Sequence, residues 1–267
     1  MSAMKKRIVL GIDAAWTERE PSGIAMVADD GTGWRLLDAA ASYDGFLMPS
    51  GGDTIIRHRG SIPDVRRIIS AVELKTGSVP DLVAIDMPLS SMPIVGRRVS
   101  DNLISSLYGA RGGGTHSPSA LRPGKISDNI RAEFDAAGYP LAVASLTGRD
   151  LIEVYPHPAL IELAAAERRL PYKHSKIGKY WRQEIPAVRR QMLLEVWGRI
   201  VDLLDDRVQG TKAALRLPAA DARGHQMKAF EDKLDAVVCA WVGACAMDGR
   251  STPFGDSASA IWVPTRR

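Results

Sequence analysis

The first forty residues alternate short apolar runs with polar turns. Ile8-Val9-Leu10-Gly11-Ile12 is a continuous apolar run closed by Asp13, and Gly23 to Ala28 is a second of the same kind. Runs of about four to eight residues without alternation mark strands buried on both faces. Thr17 to Ser22 reads as the turn of a hairpin between them. Asp29-Asp30-Gly31-Thr32-Gly33 is a second turn, and Trp34 to Ser42 supplies a third strand. The chain therefore opens as a β-meander.

Beyond it the period changes. Val65, Ile68, Ile69 and Val72 recur at helical spacing after Ser61-Ile62-Pro63-Asp64, and Gly77 and Pro80 end that helix. Leu82 to Ile85 is another buried strand, terminated by Asp86-Met87-Pro88. Helices are expected around Arg98 to Tyr108 and from Ser127 to Ala137, with the glycine-rich loop Gly109 to His116 between them. Asp150 to Tyr155 reads as a strand closed by Pro156-His157-Pro158, and Ala159 to Arg169 as a helix. Pro186 to Arg207 has the pattern of a long amphipathic helix, and Phe230 to Met247 that of an apolar helix headed by acids. Ala258 to Val263 forms a last strand, while Thr211 to Gly224 carries no clear period. No repeat and no Pro-, Gly- or Ser-rich linker divides the chain. The pattern gives a single α/β domain over residues 1–267, with an antiparallel hairpin edge, parallel strands and helices on both faces.

Composition narrows the class. At 267 residues, 45% hydrophobic and 25% charged, the chain is neither fibrous nor disordered. Its longest nearly apolar run, Ala236 to Met247, falls short of the ~20 residues of a membrane span. Lys5-Lys6-Arg7 before an apolar run resembles the start of a signal peptide. Asp13 interrupts that run and no cleavage site follows, so a cytoplasmic location is expected. Cys239 and Cys245 lie six apart on one helix, facing different sides, which excludes a disulfide framework.

The net charge of +4 conceals a separation. Between Arg168 and Arg190 stand eight basic residues and one acid, a local +7 that leaves −3 for the rest of the chain. Tyr172, His174, Tyr180 and Trp181 are interleaved there, a composition suited to phosphate contact with base stacking, or alternatively to a solvated face.

The acids fall at strand ends. Asp13 and Asp86 each close an apolar strand, Glu153 lies within a third, and Asp232 and Asp235 share a face of the last long helix. Individually the four aspartates have plain readings as turn or cap residues, whereas Glu153, within an apolar run, is harder to explain as a cap. Together they suggest convergence, and converging carboxylates need a shared proton or divalent ions such as Mg²⁺ or Mn²⁺.

These residues carry a resemblance. Gly11-Ile12-Asp13, Ile85-Asp86-Met87-Pro88-Leu89 and Asp232-Lys233-Leu234-Asp235-Ala236 are similar to the acidic signature of RNase H-like nucleases, the helix pair being closest to Holliday-junction resolvases. Gly11 to Trp16, Arg97-Arg98 with Asp101, Glu153 to Ala159, Tyr172-Lys173, Asp235-Ala236 and Ala260 to Pro264 resemble the domain-of-unknown-function 429 family, labelled a predicted nuclease of RNase H-like fold. The resemblance implies a five-stranded mixed sheet with a helical insertion at about 90–149, a basic helical segment at about 168–208 and a C-terminal extension.

The expected chemistry is phosphodiester hydrolysis of DNA or RNA assisted by one or two Mg²⁺ or Mn²⁺ ions. Asp13, Asp86 and Asp235 are the expected ligands, and Glu153 and Asp232 the outer or water-orienting groups. Arg97, Arg98, Tyr172, Lys173, Lys176, Lys179 and Arg182 are the expected nucleic-acid contacts. Two other classes compete. One is a catalytically silent nucleic-acid-binding or scaffold protein of the same fold. The other is an actin-like nucleotide-binding or phosphotransfer protein, against which the bulky, acidic turn Ala14 to Glu20 stands.

Overall fold

A computed structural model describes residues 6–49 and 55–265; Lys5 of the basic start lies outside them. Seven strands form one mixed sheet in the order β3-β2-β1-β4-β5-β7-β6. β1 (Arg7–Asp13), β2 (Gly23–Asp29) and β3 (Trp34–Ala40) are the antiparallel meander that the apolar runs predict. β4 (Leu82–Asp86) and β5 (Asp150–Val154) continue from β1 in parallel. The expected five strands become seven, because β7 (Ala260–Pro264) pairs in parallel with β5 and carries β6 (Ser251–Gly255) as an antiparallel edge.

Helices cover both faces. Leu10, Ile12, Val83 and Ile85 pack on one side with Ile68 and Val72 of α2 (Val65–Thr76) and Phe134 of α4 (Lys125–Ala136), beside the short α1 (Tyr43–Leu47). Asp64 caps α2 by accepting from the Arg67 amide. Val9, Ala84 and Ile152 pack on the other side against α5 (Pro156–Leu163), α7 (Pro186–Asp205) and α9 (Gly224–Met247). α3 (Val99–Tyr108) packs on β6 and β7, its Ile104 and Tyr108 joining Ile261 and Val263 in a third cluster.

Three boundaries differ from the sequence pattern. Pro156-His157-Pro158 opens α5 instead of ending a strand, since proline at the first helical position forfeits no hydrogen bond. Residues 168–185 hold only a 3₁₀ turn at His174–Lys176 and the four-residue α6 (Ile177–Tyr180) before α7; the single turn α8 (Thr211–Ala214) follows. Asp232 and Asp235 lie inside α9, which begins at Gly224, and so do not serve its N-terminus. Cys239 and Cys245 are both buried and free. No helix among the described residues is long and apolar enough to cross a membrane.

Candidate acidic centre

Asp13 and Asp86 close β1 and β4, and the parallel ladder pairs them in register. Strand alternation places both on the α9 side, because Val9 of β1 and Leu82 and Ala84 of β4 share their parity and belong to that core. α9 approaches closely where the strands carry glycine. A Cβ on Gly11 would lie 2.3 Å from the Ala240 amide nitrogen, and one on Gly23 would lie 2.0 Å from the Asp232 carbonyl oxygen. Both strands thereby admit a helix backbone that any side chain would exclude. The charge of Asp235 acts on both strand acids and that of Asp232 on Asp13, so the fold gathers four of the five expected carboxylates.

Glu153 is the exception. It pairs with Ile85 instead of Asp86 and points with Leu151 to the opposite face of the sheet. There Arg98 grips it through both guanidinium nitrogens, at 2.5 Å and 2.7 Å, and the Leu89 amide donates to it at 2.7 Å. Arg98 also donates to Asp101 at 2.9 Å and to the Leu89 carbonyl at 2.7 Å. The charge of Glu153 reaches Asp86, but its side chain is turned to the other face of the sheet, and Arg98 is engaged by Glu153, Asp101 and the Leu89 carbonyl; the pair pins the start of the 90–149 segment to β5. Burial pushes the Glu153 carboxyl up to about 7, with the Arg98 guanidinium pulling against it.

Two of the gathered acids are held by cations of the chain. Lys173 Nζ lies 2.5 Å from Asp235 Oδ2 and 3.5 Å from Glu231 Oε1. The Tyr172 hydroxyl donates to Asp235 Oδ1 at 2.8 Å, so both oxygens of that carboxylate are occupied. Tyr172 is wholly buried, its carbonyl accepts from Trp197, and His157 stands 3.3 Å from its hydroxyl. Burial holds His157 well below the usual imidazole range, with Arg169, Lys173 and Lys176 adding to the effect, so the ring is neutral. Lys228 pairs with Asp232 Oδ1, while Oδ2 is buried without a partner.

Asp13 and Asp86 differ. Neither carboxylate has a hydrogen bond or ion pair among the described residues. Burial drives Asp86 up to about 8, opposed by Lys173, and drives Asp13 well above the carboxylate range, reinforced by Asp235. Two desolvated carboxyls side by side need a proton or a cation between them. Cys239 lies near enough to feel both, and burial together with these acids keeps it a thiol.

The pair opens on a cleft of about 460 Å³ lined by Asp13 to Trp16, Glu20, Asp86, His116, Ser117 and Arg122. The Trp16 ring meets His116 edge-on at 6.4 Å, and the Arg122 guanidinium lies 5.9 Å over it. His116, which ends the glycine-rich loop, forms this wall with Ser117 and Arg122. Arg97 braces it by donating to Ser117 at 3.0 Å and to Asn102 at 2.6 Å. Of the expected phosphate contacts, Lys179 and Arg182 are exposed and Lys176 half-buried, whereas Tyr172 and Lys173 are turned inward to Asp235.

A family model described as "Protein of unknown function (DUF429)" matches residues 11–259 of the chain. No curated protein and no solved structure matches it.

Proposed function

The chain belongs to the DUF429 family, whose description names no activity, and from its geometry we propose that it is a metal-dependent nuclease hydrolysing phosphodiester bonds in nucleic acid. The observation that carries this reading is the Asp13–Asp86 pair, in register at two strand ends, half-buried, facing a cleft and without a hydrogen bond or ion pair to either carboxylate among the described residues. We read the block β3-β2-β1-β4-β5 as an RNase H-like core, to which β7 and β6 are added.

The donor set fits Mg²⁺ or Mn²⁺. Magnesium is commonly held by one or two carboxylates, with water and substrate phosphate completing the shell. Among the described residues no group of three His, Cys, Asp or Glu side chains is placed to hold a metal ion, and Asp235 and Asp232 are paired with lysines. Asp13 and Asp86 would hold the ion, which when bound supplies a Lewis acid and lowers the pKa of its water.

The chain's own residues do the rest. Lys173 and Tyr172 fix Asp235 beside the pair without requiring a metal. Lys173 also lowers the repulsion among the acids, since its charge acts on both Asp13 and Asp86. Trp16 and His116 offer ring faces at the cleft mouth, and Arg122 a cation for the strand backbone.

The test is Mg²⁺- or Mn²⁺-dependent cleavage of DNA or RNA. Wild type is expected to cleave and Asp13→Asn to be inactive. Absence of cleavage by wild type with either metal overturns the reading, and cleavage persisting in Asp13→Asn places the activity elsewhere.

A further inference from the structure

Four cations around the acidic centre are paired with carboxylates of the chain. Lys173 holds Asp235, Arg98 holds Glu153, Lys228 holds Asp232 and Arg111 holds Glu162. Arg169 stands apart from this pattern. Its Nε and Nη2 are sealed from solvent and have no hydrogen-bond partner, although its backbone N–H donates to the Arg111 carbonyl at 2.8 Å. The neighbours its charge acts upon are a half-buried lysine, Lys176, two histidines, His116 and His157, and the phenol of Tyr155.

That arrangement is unfavourable for the chain alone. A buried lysine or histidine can shed its proton, but a guanidinium stays charged at any pH a protein survives. Its sealed Nε and Nη2 therefore need an acceptor with negative charge, and none of the groups its charge acts upon, Lys176, His116, His157 and Tyr155, is a carboxylate. His116 connects this cluster to the cleft that holds Asp13 and Asp86.

We propose that Arg169, with Lys176 and His116, forms a phosphate-binding pocket beside the Asp13–Asp86 pair and takes a backbone phosphate of the strand lying in the cleft. A guanidinium fork matches two phosphate oxygens at once, and Lys176 adds a point charge. The inference rests on the nuclease reading only for the source of the phosphate. The pocket itself requires no divalent ion.

The test is melting of the full chain in EDTA, titrated with inorganic phosphate and, separately, with a short single-stranded oligonucleotide. Wild type is expected to gain on the order of 5 °C near saturating phosphate. Arg169→Met is expected to lose that response and, in phosphate-free buffer, to melt at or above wild type, because it removes two sealed donors that have no partner. A phosphate response retained in Arg169→Met, none in wild type, or a phosphate-free Arg169→Met that melts well below wild type would each overturn the pocket. Should Arg169→Met not fold, Lys176→Met, on the 3₁₀ turn, is expected to weaken the phosphate response several-fold, and an unchanged response again overturns it. Response to inorganic phosphate but not to the oligonucleotide assigns the pocket to a small phosphorylated ligand and overturns the strand assignment. Because no metal is present, loss of the phosphate response and loss of metal-dependent cleavage are separate results.

Discussion

Asp13 and Asp86 are in-register partners at the ends of two adjacent parallel strands, on the same face of the sheet. The relationship is costly without a cation, and its pH dependence has a definite sign. The folded Asp86 carboxyl titrates at about 8, against 3.8 for an ordinary aspartate. Between those values the folded chain keeps a proton that the unfolded chain releases. Stability is therefore greatest below pH 3.8 with respect to this group, falls as pH rises, and reaches its full loss above pH 8. In EDTA, Asp86→Asn is expected to melt about 2–8 °C above wild type at pH 8 and level with it near pH 4. Calorimetry at the two pH values checks this, and an equal difference at both rejects it.

Much of this centre is legible in the sequence. Apolar runs closed by Asp13 and Asp86 mark two buried strand ends, and glycine inside the first run, at Gly11, signals close backbone approach. The face of Glu153 is not legible. β5 is buried on both sides, so its residues carry no alternation from which parity could be read. Its partner Arg98 comes from an insertion 55 residues away, a pairing that no local pattern encodes. Tyr172 sits in a basic, aromatic segment that reads as a surface track; only the long-range bonds to Asp235 and Trp197 draw it inside. β6 escapes because Ser251, Thr252, Pro253 and Gly255 give a half-buried edge strand no apolar signal.

The Arg98–Glu153 pair is structural, and its variants separate that role from chemistry. Arg98 and Glu153 side chains are 8% and 4% exposed, so neither charge can turn to solvent when the other is removed. Arg98→Ala is expected to destabilise the protein by about 3–5 kcal/mol, because it leaves Glu153 buried and uncompensated. Glu153→Gln is expected to leave Mn²⁺ affinity unchanged, since the side chain lies on the face away from Asp13. Urea denaturation and metal titration measure the two effects, and loss of Mn²⁺ binding in folded Glu153→Gln returns that residue to the metal site.

Gly11 controls the spacing between strand and helix. An added Cβ would meet Ala240 N at 2.3 Å and Ala236 O at 2.4 Å, both of them backbone atoms with no rotamer to yield. Gly11→Ala forces α9 away from β1 and carries Asp235 with it. A loss of about 3 kcal/mol or more is expected, together with weaker Mn²⁺ binding in the protein that remains folded. Denaturation and titration of the same sample check both, and wild-type stability in this variant shows that α9 does not press on the strand.

Lys173 determines how many ions the centre accepts. Its ammonium lies 2.5 Å from Asp235 Oδ2 and 3.5 Å from Glu231 Oε1, and Tyr172 occupies the other Asp235 oxygen at 2.8 Å. Burial pulls this lysine down, but Asp235, Tyr172, Glu231 and Asp13 outweigh it and hold the ammonium charged well above the usual range. A fixed monovalent cation thus stands where a second divalent ion would need Asp235. The carboxylates left free are Asp13 and Asp86, enough for one ion with water in the rest of its shell. Wild type is expected to saturate at one Mn²⁺ per chain by electron paramagnetic resonance. Lys173→Met uncovers Asp235, so its metal-free form should melt lower and its titration should rise to two ions, while Lys173→Arg should stay at one. Two ions in wild type, or a single ion in folded Lys173→Met, would show that the lysine does not hold a cation's place.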